Sequence, residues 1–88
     1  MKKENLLARV TVNPDVLLGK PTIRGLRISV AQILAALANN VSVSDLLKDY
    51  PELELEDIQA ALTYAAQRIE EEKVYKVEWL DHKTKISG

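Results

Sequence analysis

Three cations near the N-terminus are the first candidates for chemistry, because they lie close together around a predicted tight turn. Lys20, Arg24 and Arg27 surround Gly25, which can adopt the positive φ that a tight reversal requires. Cations held on a rigid turn are suited to binding phosphate groups, including those of DNA. The same three side chains could instead form ion pairs with acids of later helices. The residue types leave both interpretations open.

A second group of polar side chains lies on one face of a helix predicted over residues 55–71. Its exposed members would be Gln59, Thr63, Gln67 and Arg68. Amide, hydroxyl and guanidinium groups of this kind bond to base edges and phosphates when a helix lies in the major groove. Together with the three cations, they make up the DNA-binding residues that the sequence predicts.

The start of the same predicted helix argues against DNA binding. Glu54, Glu56 and Asp57 fall in or next to its first turn. Carboxylates there complement the helix dipole but would repel phosphates. A dimeric protein–protein interaction module without DNA binding is therefore the alternative function.

The chain carries its largest apolar side chains near the C-terminus, outside the predicted helices. Tyr75, Val77 and Trp79 alternate with charged residues, which favours a strand, although the preceding helix could also continue through them. Aromatic rings contribute strongly to interface energetics, so we expect these three residues to bind a protein partner. The alternative is that they pack on the chain's own N-terminal strand, within one molecule or across a dimer.

Catalytic chemistry is poorly supported by the residue types. The chain has no cysteine and one histidine, His82, so neither a histidine-based metal site nor a Ser–His pair can be assembled. Asp57 and the run at residues 70–72 could hold a hard cation, which would suit a metal-dependent nuclease. Consecutive helical residues point in different directions, however, so we expect no enzyme, no cofactor and no metal.

Composition limits the remaining classes. The 88 residues carry a formal charge of −1, which argues against a protein that coats nucleic acid by bulk charge. Residues 1–27 nevertheless hold six Lys/Arg against two acids, and residues 43–72 hold nine acids against two Lys/Arg. We expect a single domain over residues 1–88, a homodimer, a cytoplasmic location and no membrane segment.

Local signals place the elements that would position these groups. A strand is predicted at residues 9–13, a hairpin at 22–28 and helices at 30–38, 43–50 and 55–71. Ser29 and Ser42 are predicted N-caps, Asn40 suits a left-handed helix exit, and Pro51 stops the second helix. No helix is expected in the loop before the hairpin.

Apolar spacing predicts the buried faces. In the strand, alternation places Val10 and Val12 inward. On the last helix, steps of three and four assign the core-facing positions to Leu55, Ile58, Leu62, Ala65 and Ile69.

The resulting fold class is mainly α with a small N-terminal β hairpin and a three-helix helix-turn-helix core, homeodomain-like or winged-helix-like. Residues 1–28 would form the β arm and hairpin, residues 29–72 the helical core, and residues 73–88 a tail or strand.

Residues 13–30, with their glycine and proline positions, closely resemble the opening signature of the bacterial domain-of-unknown-function family 433. Residues 50–53, 56–58 and 60–65 resemble its second half, so the likeness spans residues 9–68. Leu26, Asn40 and Glu54 depart from the family pattern. The resemblance implies a homeodomain-like helix-turn-helix protein similar to VapB-type antitoxins, which partner PIN-like ribonuclease toxins. It thus implies an antitoxin of a toxin–antitoxin pair that binds its operator DNA and regulates transcription.

Overall fold

The β arm contains two short strands in the computed structural model, which describes residues 2–71. β1 (Val10–Thr11) pairs antiparallel with β2 (Thr22–Ile23), with Val10 opposite Ile23 and Thr11 opposite Thr22. Thr22 and Ile23 are fully buried, so β2 lies on the core. The strand predicted at residues 9–13 is therefore present but shorter. Val12 is 61% exposed, so its predicted burial is wrong, because the chain leaves the sheet after Thr11.

A tight turn follows β2. Arg24 and Gly25 have φ of 48° and 73°, the pattern of a type I′ turn, and the Leu26 N–H donates to the Ile23 carbonyl at 2.8 Å. The returning chain makes one isolated bridge, between Thr22 and Ser29. The predicted turn is confirmed, but the strand partner of β2 is β1.

Side-chain caps start the next two helices. α2 (Val30–Ala38) begins where the Ser29 hydroxyl accepts the Gln32 N–H at 2.9 Å. α3 (Val43–Asp49) begins where Ser42 accepts the Asp45 N–H at 3.0 Å. Each cap satisfies one of the N–H groups that a helix start leaves without a partner, which is why both starts were predictable.

The exit from α2 is a Schellman motif. Asn40 has φ of 67°, its N–H donates to the Leu37 carbonyl, and the Val41 N–H donates to the Ala36 carbonyl, both at 3.0 Å. The predicted left-handed exit at Asn40 is confirmed.

The longest helix, α4 (Leu55–Glu71), packs against both α2 and α3. The core between these helices and β2 consists of Ile23, Ile28, Val30, Ile33, Leu46, Leu53, Ile58 and Ala61. Leu55 and Leu62 are each 48% exposed and Ile69 is 64% exposed, so the predicted inward positions of these three are wrong. The small side chains of Ala60 and Ala61 let the helix approach closely, so α4 is rotated from the predicted face.

Two short helical segments were not predicted. α1 (Lys3–Leu7) packs on α4, and a 3₁₀ turn at Leu17–Gly19 lies in the loop where no helix was expected. Both are too short to show helical periodicity in the sequence.

The described residues form a mainly helical globule with four α-helices and one two-stranded antiparallel sheet. The predicted fold class is confirmed in this form. Within residues 2–71, no helix is long and apolar enough to cross a membrane.

Candidate functional site

The polar centre of the structure is the carboxylate of Asp57, whose side chain is fully buried at the start of α4. Arg24 binds it in bidentate fashion: Nε lies 3.1 Å from Oδ1 and Nη2 lies 2.9 Å from Oδ2. Arg24 Nη2 also donates to the carbonyl of Glu52 at 2.6 Å. Arg24 is thereby fixed to the loop that precedes α4.

A second arginine completes the cluster. Arg9 Nη1 lies 2.8 Å from Asp57 Oδ1 and 2.8 Å from Glu54 Oε1. The Glu54 N–H donates to Asp57 Oδ2 at 2.8 Å, which is the backward half of a capping box. We refer to Arg9, Arg24, Glu54 and Asp57 as the Asp57 cluster. It joins the β arm, the turn after β2 and the start of α4.

Hydrogen bonds within the Asp57 cluster shift the pKa of Asp57 and of its two arginines. Burial alone would raise the pKa of Asp57, but hydrogen bonds from Arg24, the Glu54 backbone and Arg9 outweigh it and hold that pKa below its ordinary value. Hydrogen bonding to Glu54 and then to Asp57 raises the pKa of Arg9. Hydrogen bonding to Asp57 raises the pKa of Arg24. Asp57, Arg9 and Arg24 are therefore held in their charged forms near neutral pH, and none of the three is poised to transfer a proton.

The geometry separates the three predicted phosphate-binding cations. Arg24 points at Asp57, which favours the ion-pairing interpretation for this residue. Lys20 and Arg27 are exposed to solvent. For Arg24 to bind phosphate, it would have to leave the buried Asp57 carboxylate with Arg9 as its one remaining guanidinium partner, which is energetically costly.

The predicted DNA-facing side chains of α4 differ in their exposure to solvent. Gln59 and Arg68 are exposed, whereas Thr63 and Gln67 are half-buried. Gln67 lies beside Leu7, because α1 covers that side of the helix. Arg68 lies 3.7 Å from Glu71, one turn further along α4.

The outward side of α4 carries a row of exposed residues at alternating steps of four and three. We call it the α4 row; it consists of Leu55, Gln59, Leu62, Ala66 and Ile69. Side chains at such spacing lie on one side of a helix, in the arrangement used for helix-to-helix contacts. The α4 row thus places three large apolar side chains in solvent.

An open groove lies between α2 and the C-terminal half of α4. We call it the α2–α4 groove; its volume is about 350 Å³. Its apolar walls are Pro21, Val30, Ala31, Leu34, Tyr64, Ala65 and Ile69. Lys20 and Arg68 also line it, and because its lining surface is almost entirely apolar, they do so with the aliphatic parts of their side chains. The arrangement suits an apolar side chain flanked by carboxylates.

Metal-ligating residues do not converge in the part of the chain described. No group of three or more His, Cys, Asp or Glu side chains there could hold a metal ion. The Asp57 carboxylate, which the sequence offered as a cation ligand, is bound to two guanidinium groups. The predicted partner-binding residues Tyr75, Val77 and Trp79, like His82, lie outside the described residues.

Sequence reasoning missed the Asp57 cluster as a unit. Arg9 lies 48 positions before Asp57 and Arg24 lies 33 before it, and no local pattern connects such distant residues. One signal was available, because the basic N-terminal third and the acidic later helices suggested ion pairing between them.

Comparison with known proteins gives a consistent family relationship. The family model described as "Protein of unknown function (DUF433)" matches residues 10–65. The uncharacterized protein y4eO of Sinorhizobium fredii (strain NBRC 101917 / NGR234) is 41% identical over 56 residues. That match covers 64% of this chain and 25% of y4eO, so the chain spans about a quarter of the length of this relative.

A solved structure shares the fold. The crystal structure of a DUF433 member protein from Anabaena variabilis ATCC 29413 superposes with a TM-score of 0.68 at 32% sequence identity. The superposition covers 77% of this chain and 67% of the other.

Proposed function

This chain belongs to the DUF433 family of proteins of unknown function, and we propose that it is a non-enzymatic antitoxin. In this proposal it holds a PIN-like ribonuclease inactive and binds its own operator DNA. The resemblance to VapB-type antitoxins supplies the class of partner. What supports a binding role in the structure is the α4 row.

The α4 row carries the proposal because it is an apolar surface on a rigid element. Leu55, Leu62 and Ile69 are between 48% and 64% exposed along one side of a 17-residue helix. The polar cluster at Asp57, by contrast, is taken up in ion pairs that hold the fold together. Large apolar side chains in contiguous rows on a surface are typical of protein-binding sites. We therefore place the contact with the ribonuclease on the α4 row.

The DNA-binding part of the proposal uses the helix pair α3 and α4, connected by residues 50–54, as a helix-turn-helix unit. The exposed cations available to it are Arg68 on α4 and, from the chain before α2, Lys20 and Arg27; Gln59 on α4 is its exposed amide. In this proposal the cations hold phosphates and α4 supplies the contact to base edges.

Co-expression with the adjacent open reading frame of the native operon tests the antitoxin proposal. We expect a ribonuclease to co-purify with the wild-type protein. Leu62→Gln removes the central apolar side chain of the α4 row and should weaken co-purification. Val12→Gln is the matched control, because Val12 is equally an exposed apolar residue but lies on the β arm. Recovery of no ribonuclease with the wild-type protein would contradict the proposal.

A protein–protein interaction module without DNA binding is the second candidate. Two observations favour it: Arg24 is bound to Asp57, and the exposed carboxylates of Glu52 and Glu54 lie at the start of α4, where a recognition helix meets DNA. Binding to upstream DNA at low salt separates the two candidates, because phosphate contacts are strongest at low salt. Binding that weakens steeply with added salt favours the DNA-binding antitoxin, and no binding at low salt favours the interaction module.

A further inference from the structure

We propose that the α2–α4 groove is the docking site for the chain's own segment 75–80, with the Trp79 side chain between the two helices. The inference depends on the groove and the sequence that follows it, and not on the antitoxin role.

The course of the chain brings this segment to the groove. Arg68 and Ile69 line the groove near the end of α4, and the described chain stops at Glu71. Tyr75 follows four positions later. Four extended residues span up to about 14 Å, which exceeds the roughly 10 Å between the axes of packed helices. Segment 75–80 can therefore reach the groove without disturbing α4.

The chemistry of the two surfaces is complementary. The walls of the groove are apolar and its volume is about 350 Å³, room for an aromatic side chain. Segment 75–80 contains both remaining large aromatic residues, Tyr75 and Trp79, together with Val77 and Leu80. An aromatic side chain buries about 150–250 Å² when it packs, so Trp79 would bury a large apolar area in the groove.

Charge complementarity favours segment 75–80 over an apolar segment without acidic residues. Lys20 and Arg68 line the groove with their aliphatic carbons, and their cations lie at the ends of those side chains. Glu78 and Asp81 flank Trp79 in the sequence. Placing Trp79 in the groove would set both carboxylates close to these cations, where opposite charges fix the orientation of the segment.

The single tryptophan provides a direct probe of the proposal. In the 88-residue chain we expect Trp79 fluorescence that is blue-shifted relative to the urea-unfolded chain and protected from acrylamide quenching. Ala31→Glu places a charge in the groove at an exposed α2 position and should raise the quenching constant at least twofold. Ala35→Glu, one turn further along the exposed side of α2, is the matched control and should leave it unchanged.

Disulfide trapping gives a second readout that does not depend on fluorescence. The natural chain has no cysteine, so the pair Ala31→Cys and Val77→Cys can be introduced alone. We expect an intramolecular disulfide, detected by mass spectrometry, and far slower formation with Ala35→Cys and Val77→Cys.

Three results would overturn the inference. Trp79 could be as accessible to acrylamide in the native protein as in urea. Its protection could be insensitive to Ala31→Glu. Its protection could also require high protein concentration or added ribonuclease, which would assign the occupant to a second copy or to the partner.

Discussion

Arg24 and Asp57 form a bidentate ion pair across 33 residues of sequence, with the Arg24 Nε 3.1 Å and Nη2 2.9 Å from the two carboxylate oxygens. The pair connects the turn after β2 to the first turn of α4, and Arg9 adds the β arm. Because the carboxylate is fully buried, its two cations stabilise the fold whether or not a ligand is bound.

Substitution Asp57→Asn should destabilise the fold by about 3 kcal/mol, because it leaves two guanidinium groups without their buried anion. Urea unfolding monitored by circular dichroism measures the change. Glu54→Gln is the control: its side chain is 57% exposed, so its ion pair with Arg9 is weakened by solvent and the variant should unfold close to wild type. Equal unfolding midpoints for Asp57→Asn and wild type would refute the structural role.

Acid should weaken the fold through the same residue. Since the pKa of Asp57 is lowered in the folded state, its contribution is fully present above the unfolded-state pKa of about 4. It is lost as pH falls through the lower folded-state pKa. The urea midpoint of wild type should therefore fall more steeply than that of Asp57→Asn below about pH 4. Parallel curves for the two proteins would show that Asp57 is not the group responsible.

Backbone conformation at Arg24 predicts a difference between two substitutions. Arg24 has φ of 48°, where a residue with a Cβ is disfavoured by roughly 1 kcal/mol relative to glycine. Arg24→Ala and Arg24→Gly both lose the contacts to Asp57, but only glycine relieves the backbone. Arg24→Gly should thus be about 1 kcal/mol more stable than Arg24→Ala in urea unfolding. The reverse order would mean that the turn does not hold this conformation.

Local chemistry explains which parts of the fold the sequence could predict. Ser29, Ser42 and Asn40 act on backbone groups within four residues of themselves, so the bounds of α2 and the start of α3 follow from short motifs. The rotation of α4 could not be predicted in this way. Apolar spacing assigned Leu62 to the core, whereas Asp57 and the alanines occupy it because Arg9 and Arg24 neutralise the buried carboxylate.

The sequence predicted some of the residues of the candidate site but not the contacts between them. The sequence identified Arg24 as one of three similar cations, but tertiary contacts decide that it is bound to Asp57 while Lys20 and Arg27 remain exposed. The α4 row was missed for the same reason as the rotation of α4.

Binding of operator DNA through the exposed cations should weaken as salt is added, and removal of one of these cations should make that dependence less steep. Arg27→Ala should reduce the slope of log K against log salt by about 1, since one phosphate contact is lost. Lys3→Ala removes an exposed cation on α1, outside the proposed DNA-binding unit, and is the control that should keep the wild-type slope. Titrations of labelled upstream DNA at several salt concentrations measure both. Identical slopes for Arg27→Ala and wild type would exclude Arg27 from the phosphate contacts.

Inhibition of the co-purified ribonuclease tests the central claim that the protein acts by binding through α4. Ribonuclease activity on a labelled RNA is measured while wild type, Leu62→Gln or Val12→Gln is added. We predict that wild type and Val12→Gln abolish activity near equimolar ratio, and that Leu62→Gln needs at least tenfold more protein. Undiminished activity with excess wild type, or equal inhibition by all three proteins, would contradict the account.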